Sequence, residues 1–117
     1  MKRCRLDDLT ATDTSHVLAD VLPGRYLNKG GLGFKAPGQR THTADGPGGS
    51  DVHVHDDCEA FVILQGRAVM EVDGQSYDLA AGDVVIIESG EDHHLVADAD
   101  DPCINLWLHA GDQPHWM

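Results

Sequence analysis

Residues 51–66, reading DVHVHDDCEAFVILQG, constrain this chain most, because they place three potential metal ligands at the start of an apolar run. His53 and His55 lie two residues apart, so in an extended strand both imidazoles project from the same face. Glu59 falls in phase with them unless residues 56–58 form a turn. Imidazole and carboxylate groups together suit Fe, Mn, Ni, Cu or Zn, whereas an oxygen-only site suits Mg or Ca. The stretch therefore predicts a transition-metal site.

A second stretch, residues 82–94, supplies the best fourth ligand, His93. Together the two stretches resemble the two signature motifs of the cupin superfamily, G-x5-H-x-H-x3,4-E-x6-G and G-x5-P-x-G-x2-H-x3-N. The residues that match at the family spacing are His53, His55, Glu59, Gly66, Gly82, Gly90 and His93. The resemblance covers residues 41–109. It implies that the three matching histidines and Glu59 bind one divalent transition metal, which would be Fe, Mn, Ni or Zn.

The sequence departs from these motifs at three positions. Pro47 stands where the first motif begins with Gly, Glu88 replaces the Pro of the second motif, and Ala97 replaces its final Asn. None of these is a metal ligand in the family, so the departures concern loop geometry rather than the ligand set. His94 directly follows His93 and would point to the opposite face of a strand, so we expect it not to be a ligand.

Turn signals and short apolar runs predict the fold. Asp73-Gly74, with strand-like sequence on both sides, predicts a two-residue hairpin, because both central residues of such a turn need positive φ. The β-branched run 84–87 predicts a buried strand, and residues 103–109 form the last predicted strand. Regularly spaced short strands indicate an all-β sandwich or barrel. The cupin resemblance independently implies a double-stranded β-helix, or jelly-roll barrel.

The length of 117 residues predicts one domain. We divide it into an N-terminal extension over residues 1–40, with a short helix and an edge strand, and a cupin barrel over residues 41–117. Weak helical spacing places the helix within residues 6–22. The glycines that lie just before residues 32–36 and within this range favour an edge strand there.

The formal net charge of −12 is unevenly distributed. Residues 1–40 hold seven basic and four acidic residues, whereas residues 41–117 hold one basic and 16 acidic residues. The acidic body would repel phosphate backbones, so nucleic acid is a poor partner. The basic N-terminal segment could instead pack against the acidic barrel, within one chain or across a homodimer.

The sequence also bears on location. No apolar run approaches the roughly 18 residues that a membrane-spanning helix needs, so we expect no membrane partner. The first ten residues lack the apolar region of a signal peptide, which favours the cytoplasm. The three cysteines, an odd number without metal-type spacing, make a disulfide framework unexpected.

Several polar residues outside the ligand set could act beside the metal. His42, Tyr77 and Asn105 are the candidate catalytic residues, since a nearby imidazole, hydroxyl or amide can hold or move a proton. Together with Asp57, they are also candidates to hold a ligating imidazole by its other nitrogen. Asn105 shares one face of the last strand with Cys103, Trp107 and His109, and that face could line a pocket or pack against another segment or subunit.

The sequence is compatible with two functions. Three histidines and one glutamate fill four corners of an octahedron and leave two adjacent positions for other ligands. The chain could be a metalloenzyme acting on an oxygen-bearing small molecule, with a dioxygenase favoured over an isomerase, lyase or decarboxylase. Alternatively, it could be a cupin that binds or senses a small molecule without turnover. The superfamily hosts both functions, so the fold cannot decide between them.

Overall fold

The computed structural model describes residues 1–8, 26–41 and 58–111. Eight β-strands lie within these residues. They are β1 (Lys2–Arg5), β2 (Tyr26–Phe34), β3 (Cys58–Gln65), β4 (Arg67–Val72), β5 (Gln75–Ala80), β6 (Asp83–Ile87), β7 (His93–Ala97) and β8 (Ile104–Gly111). The strands form two antiparallel sheets, one of five strands in the order β1-β6-β3-β8-β2 and one of three in the order β5-β4-β7. The predicted all-β barrel architecture is confirmed.

β3 and β6 of the five-stranded sheet are buried on both faces, which explains why they read as continuous apolar runs. Phe61 and Val85 pair across these two strands and face the three-stranded sheet, where they join the larger core cluster. Their neighbours Val62 and Val84 pair on the opposite face and join a second cluster. Each fully buried aliphatic side chain stabilises the fold by about 1.5–3 kcal/mol. We refer below to the face toward the three-stranded sheet as the inner face.

The hairpin between β4 and β5 forms as predicted. Asp73 and Gly74 occupy the turn with φ angles of 46° and 83°. Val72 and Gln75 are paired on either side of it. Both central residues therefore have the positive φ that a two-residue turn requires.

Gly66 connects β3 to β4 where the backbone is closely packed. Its φ angle is +76°, and a Cβ atom there would lie 2.5 Å from the carbonyl oxygen of Pro102. The turn that contains Pro102 is held by Asp98, whose Oδ2 atom accepts hydrogen bonds from the backbone of Asp100 and Asp101 at 3.0 and 2.9 Å. Arg67 Nη2 donates to the same oxygen at 3.1 Å. This connection fixes β4 against the end of β7.

The N-terminal residues differ from the expectation. Residues 2–5 form β1, which pairs with β6, and Arg5 Nη1 donates to Asp83 Oδ1 at 2.8 Å. The expected helix is only a single 3-10 turn over Leu6–Asp8 in its described part, and Leu6 N donates to Gly82 O at 2.7 Å. The rest of the predicted helix lies outside the described residues. Among the described residues, no helix is long and apolar enough to cross a membrane.

The glycine-rich segment forms the other edge of the sheet. β2 is longer and begins earlier than the predicted strand around residues 32–36, and it pairs with β8. Gly31 and Gly33 lie opposite Trp107 and Asn105. A Cβ atom at Gly33 would lie 2.5 Å from Asn105 Oδ1, so β8 side chains occupy the space that larger residues in β2 would need.

Candidate metal centre

Glu59 and His93 meet between the two sheets. Glu59 lies on the inner face of β3, where it is flanked by Ile87 of β6 and His109 of β8. His93 is the first residue of β7 in the facing sheet. Its Nε2 atom lies 2.9 Å from Glu59 Oε1, and the two side chains are 2% and 5% exposed. The fold thus brings together two of the four predicted ligands, one from each motif.

The contact at Nδ1 of His93 leaves Nε2 as the nitrogen that can bind a metal beside Glu59. Its Nδ1 atom lies 2.9 Å from the carbonyl oxygen of Glu91, and a carbonyl can only accept, so Nδ1 donates. In the neutral ring, Nε2 then carries a lone pair directed at the carboxylate. Two such acceptors 2.9 Å apart in a buried site need a proton or a metal ion between them.

This arrangement fits a metal. Two donors at neighbouring corners of one ion, each about 2.0–2.2 Å from it, lie about 3 Å apart. An imidazole whose Nδ1 is held by a backbone carbonyl is also the common arrangement of a metal-binding histidine. His93 Nε2 and Glu59 Oε1 therefore have the chemistry and the separation of two ligands to one ion.

The other two predicted ligands, His53 and His55, lie outside the described residues, as do His42 and Asp57. Among the residues that the structure describes, no group of three or more His, Cys, Asp or Glu side chains is arranged to hold a metal ion. The described part of the site is the pair formed by Glu59 and His93.

His109 is a further residue of the site. Its Nε2 atom lies 3.4 Å from Glu59 Oε2, close enough for an ion pair, and its side chain is 15% exposed. The Trp107 ring packs edge-on against it, with centroids 5.7 Å apart. The sequence predicted only that His109 lies on a face of the last strand that could line a pocket. Its position beside Glu59 depends on the register between β3 and β8, which no local motif reveals.

His94 points away from His93. Its Nδ1 atom lies 2.8 Å from the carbonyl oxygen of Thr41, and its Nε2 atom lies 3.2 Å from Asp92 Oδ1 without hydrogen-bond geometry. Thr41 is held further by Leu95, whose backbone N donates to Thr41 Oγ1 at 2.9 Å. His94 thus anchors the chain at the last described residue before the segment that carries His53 and His55.

Tyr77 and Asn105 lie apart from the Glu59–His93 pair. The Tyr77 hydroxyl donates to Gln75 Oε1 at 2.9 Å, on β5, which β4 separates from β7. Asn105 lies on the inner face, four residues before His109, or about 13 Å along an extended strand. Asn105 is 1% exposed, and its Oδ1 atom has no hydrogen-bond partner among the described residues.

The two cysteines with a shifted pKa, Cys4 and Cys103, are not activated thiols. Burial raises the pKa of the Cys103 thiol, which lies on the inner face. Burial and the nearby carboxylates of Asp8 and Asp83 raise the pKa of Cys4. A raised pKa lowers the thiolate fraction, so neither residue has the properties of a reactive thiol.

The fold and this pair define a class, that of small β-barrel proteins with an imidazole–carboxylate site inside the barrel. The chain belongs to the cupin family, whose Cupin domain model matches residues 40–109. The family membership that the two motifs predict is confirmed.

Solved structures give the same fold. The chain is similar to a Cupin 2 conserved barrel domain protein from Salinispora arenicola, with 26% identity over 77% of this chain and 71% of that chain, and a TM-score of 0.57. A predicted oxalate decarboxylase from Thermotoga maritima shares 24% identity over 65% and 59%, with a TM-score of 0.51. A protein from Klebsiella pneumoniae with a double-stranded β-helix domain shares 23% identity over 68% and 64%, with a TM-score of 0.54. No curated protein matches the sequence.

Proposed function

We propose that this cupin is a small metalloenzyme that acts on an oxygen-bearing small molecule, with a dioxygenase favoured over an isomerase, lyase or decarboxylase. One divalent transition metal, Fe, Mn, Ni or Zn, would be held by Glu59 and His93 together with His53 and His55. The observation that carries the proposal is the buried contact between His93 Nε2 and Glu59 Oε1 at 2.9 Å, with Nδ1 of His93 facing the carbonyl oxygen of Glu91. When bound, the metal would act as a Lewis acid and a template for a bidentate oxygen ligand.

The protein's own residues have separate tasks in this proposal. Glu91 O fixes the tautomer and the orientation of His93 through Nδ1. His109 Nε2 lies 3.4 Å from the second carboxylate oxygen of Glu59, so in this proposal His109 orients that carboxylate and serves as a proton donor or acceptor. A non-ligand imidazole in this position is the kind of group that catalysis by proton transfer requires.

A second candidate function is the binding of a small molecule without turnover. It is favoured by the apolar contact at the site itself, where the Phe61 ring packs edge-on against His93 with centroids 5.9 Å apart. The Thermotoga maritima protein described as a predicted oxalate decarboxylase shares this fold with the chain at 24% identity, which does not transfer its activity. The polar group at His109 favours the enzyme over this alternative.

We also propose that the protein is a homodimer, paired through β2. This nine-residue strand is at the edge of the five-stranded sheet among the described strands. It exposes Leu32 and Phe34, at 56% and 69%, on the outer face. Residues 26–35 carry two lysines and no acidic residue, so two acidic barrels can approach each other there. Long apolar edge strands favour pairing with another chain.

Oxygen chemistry tests the enzymatic proposal. Iron-loaded protein, incubated with a panel of small vicinal diols and oxo acids, should consume dioxygen with at least one of them, and His109→Phe should slow this uptake about 100-fold or more. Tyr77→Phe, which removes a hydroxyl bonded only to Gln75 among the described contacts, serves as the control. Tight binding of a panel member without oxygen uptake or any chemical change would favour the binding protein.

A further inference from the structure

A lysine lies in line with the two polar residues of the inner face. Glu59 of β3 is paired with His109 of β8, and His109 is paired with Lys29 of β2. Residues directly opposite each other in an antiparallel sheet share a face and have Cβ atoms about 4.5–5.5 Å apart. Lys29 is therefore the inner-face neighbour of His109, on the side away from Glu59.

A β-bulge produces this alignment. The register of β2 against β8 shifts between Leu27 and Lys29, which pair with the successive residues Ala110 and His109. The extra residue changes the side of the sheet to which the following side chains point. Without it, Lys29 would face the outer side of the sheet. Bulges of this kind are common beside functional sites, where they redirect a side chain.

Lys29 also differs from Arg67 and Arg40, which are both held in ion pairs. The only basic residue of the acidic body, Arg67, is paired with Asp98 and Asp101 at 3.1 and 3.7 Å. Arg40 is paired with Glu71 at 2.8 Å. Among the residues that the structure describes, no carboxylate forms an ion pair with Lys29, which is exposed. Its ammonium group is thus available to an anion that lies beside the paired residues Glu59 and His109.

We propose that Lys29 binds an acidic oxygen group of the molecule held at this site, so that the ligand is a small oxyanion, a carboxylate or a phosphate. This inference rests on the proposed function and adds the charge of its substrate. The ammonium group offers three donors and a compact positive charge, which suit a carboxylate or phosphate oxygen. An edge-strand lysine can also serve only to prevent strand pairing, and that role predicts no effect on ligand charge.

The test compares charged and neutral probes on metal-loaded protein. Oxalate, inorganic phosphate and oxamide, the neutral counterpart of oxalate, are titrated by calorimetry into the wild type, Lys29→Met and Lys29→Arg. Lys2→Met is the matched control, because Lys2 is an exposed lysine on β1, at the opposite edge of the same sheet. Metal content is measured on each protein before the titration.

We expect the wild type to bind oxalate or phosphate, and whichever binds more tightly assigns the acidic group. Lys29→Met should weaken that binding about 10-fold or more, since a hydrogen bond to a charged group is lost. Lys29→Arg and Lys2→Met should remain within about 2-fold of the wild type, and oxamide should bind the wild type and Lys29→Met equally.

Three results would overturn the inference: unchanged anion affinity in Lys29→Met, an equal loss of oxamide affinity, or a metal-loaded wild type that binds neither anion. A wild type that takes up no metal contradicts the proposed function instead. The same titrations on that metal-free protein then decide the role of Lys29.

Discussion

His109 Nε2 and Glu59 Oε2 lie 3.4 Å apart on neighbouring strands, while Glu59 Oε1 faces His93 at 2.9 Å. The carboxylate is therefore held from two sides. Partners of this kind orient metal-binding groups, and their loss typically lowers metal affinity by about 10- to 100-fold.

We predict a loss of that size for His109→Phe, measured by competition with a chelator. Tyr77→Phe should leave the affinity unchanged, because its hydroxyl is bonded to Gln75 on β5. Equal affinities for His109→Phe and the wild type would mean that His109 does not orient Glu59. The unfolding temperature of the metal-free variant separates this effect from misfolding.

Gly66→Ala should be far more destabilising than Gly74→Ala. Both glycines have positive φ, at +76° and +83°, so both substitutions cost about 1 kcal/mol in backbone conformation. At Gly66 the added Cβ would also meet Pro102 O at 2.5 Å, whereas nothing lies within 4 Å at Gly74. We expect a total loss of about 3 kcal/mol or more for Gly66→Ala in urea unfolding. Similar losses for the two variants would contradict the close packing of this connection.

We predict that Asp98 makes the stability of the folded state depend on pH in the acid range. Hydrogen bonds from the backbone of Asp100 and Asp101, and then the Arg67 guanidinium, hold the pKa of the Asp98 carboxyl below its usual value. A lowered pKa stabilises the folded state above the unfolded pKa, and this contribution is lost as pH falls through the folded value. Asp98→Asn should therefore have a lower melting temperature than the wild type at pH 7, with the difference shrinking below about pH 4. A difference that stays constant down to pH 2 would argue against this origin.

The homodimer proposal predicts that a charge on β2 separates the subunits. Phe34→Glu should convert a dimer to a monomer in light scattering, because it places a carboxylate on the exposed apolar face of the edge strand. Leu6→Glu, a second exposed apolar residue that lies outside β2, is the control and should remain dimeric. A wild type that is monomeric at high concentration would refute the proposal.

Local sequence patterns were enough to predict part of this structure. The hairpin at Asp73-Gly74 and the buried strand β6 follow from turn chemistry and from an uninterrupted β-branched run. The motif spacing also singled out Glu59 and His93, which the fold brings together. The placement of His53 and His55 stays a prediction.

Other features depend on contacts between distant parts of the chain. The pairing of β1 with β6 and the shift that aligns Lys29 with His109 are set by strand register, which a one-residue change inverts. Asn105 was predicted as a polar residue beside the metal, and the four residues that separate it from His109 span about 13 Å along β8.

The metal content of protein purified without a metal-affinity step decides whether Glu59 and His93 belong to a metal site. The wild type should contain about one transition-metal ion per chain by elemental analysis, and Glu59→Gln and His55→Ala should each lose most of it. Glu88→Gln, altered at an exposed carboxylate of the second motif, should keep it in a folded β protein. Stoichiometric metal in Glu59→Gln and His55→Ala, or none in the wild type after incubation with Fe, Mn, Ni and Zn, would rule out this metal site.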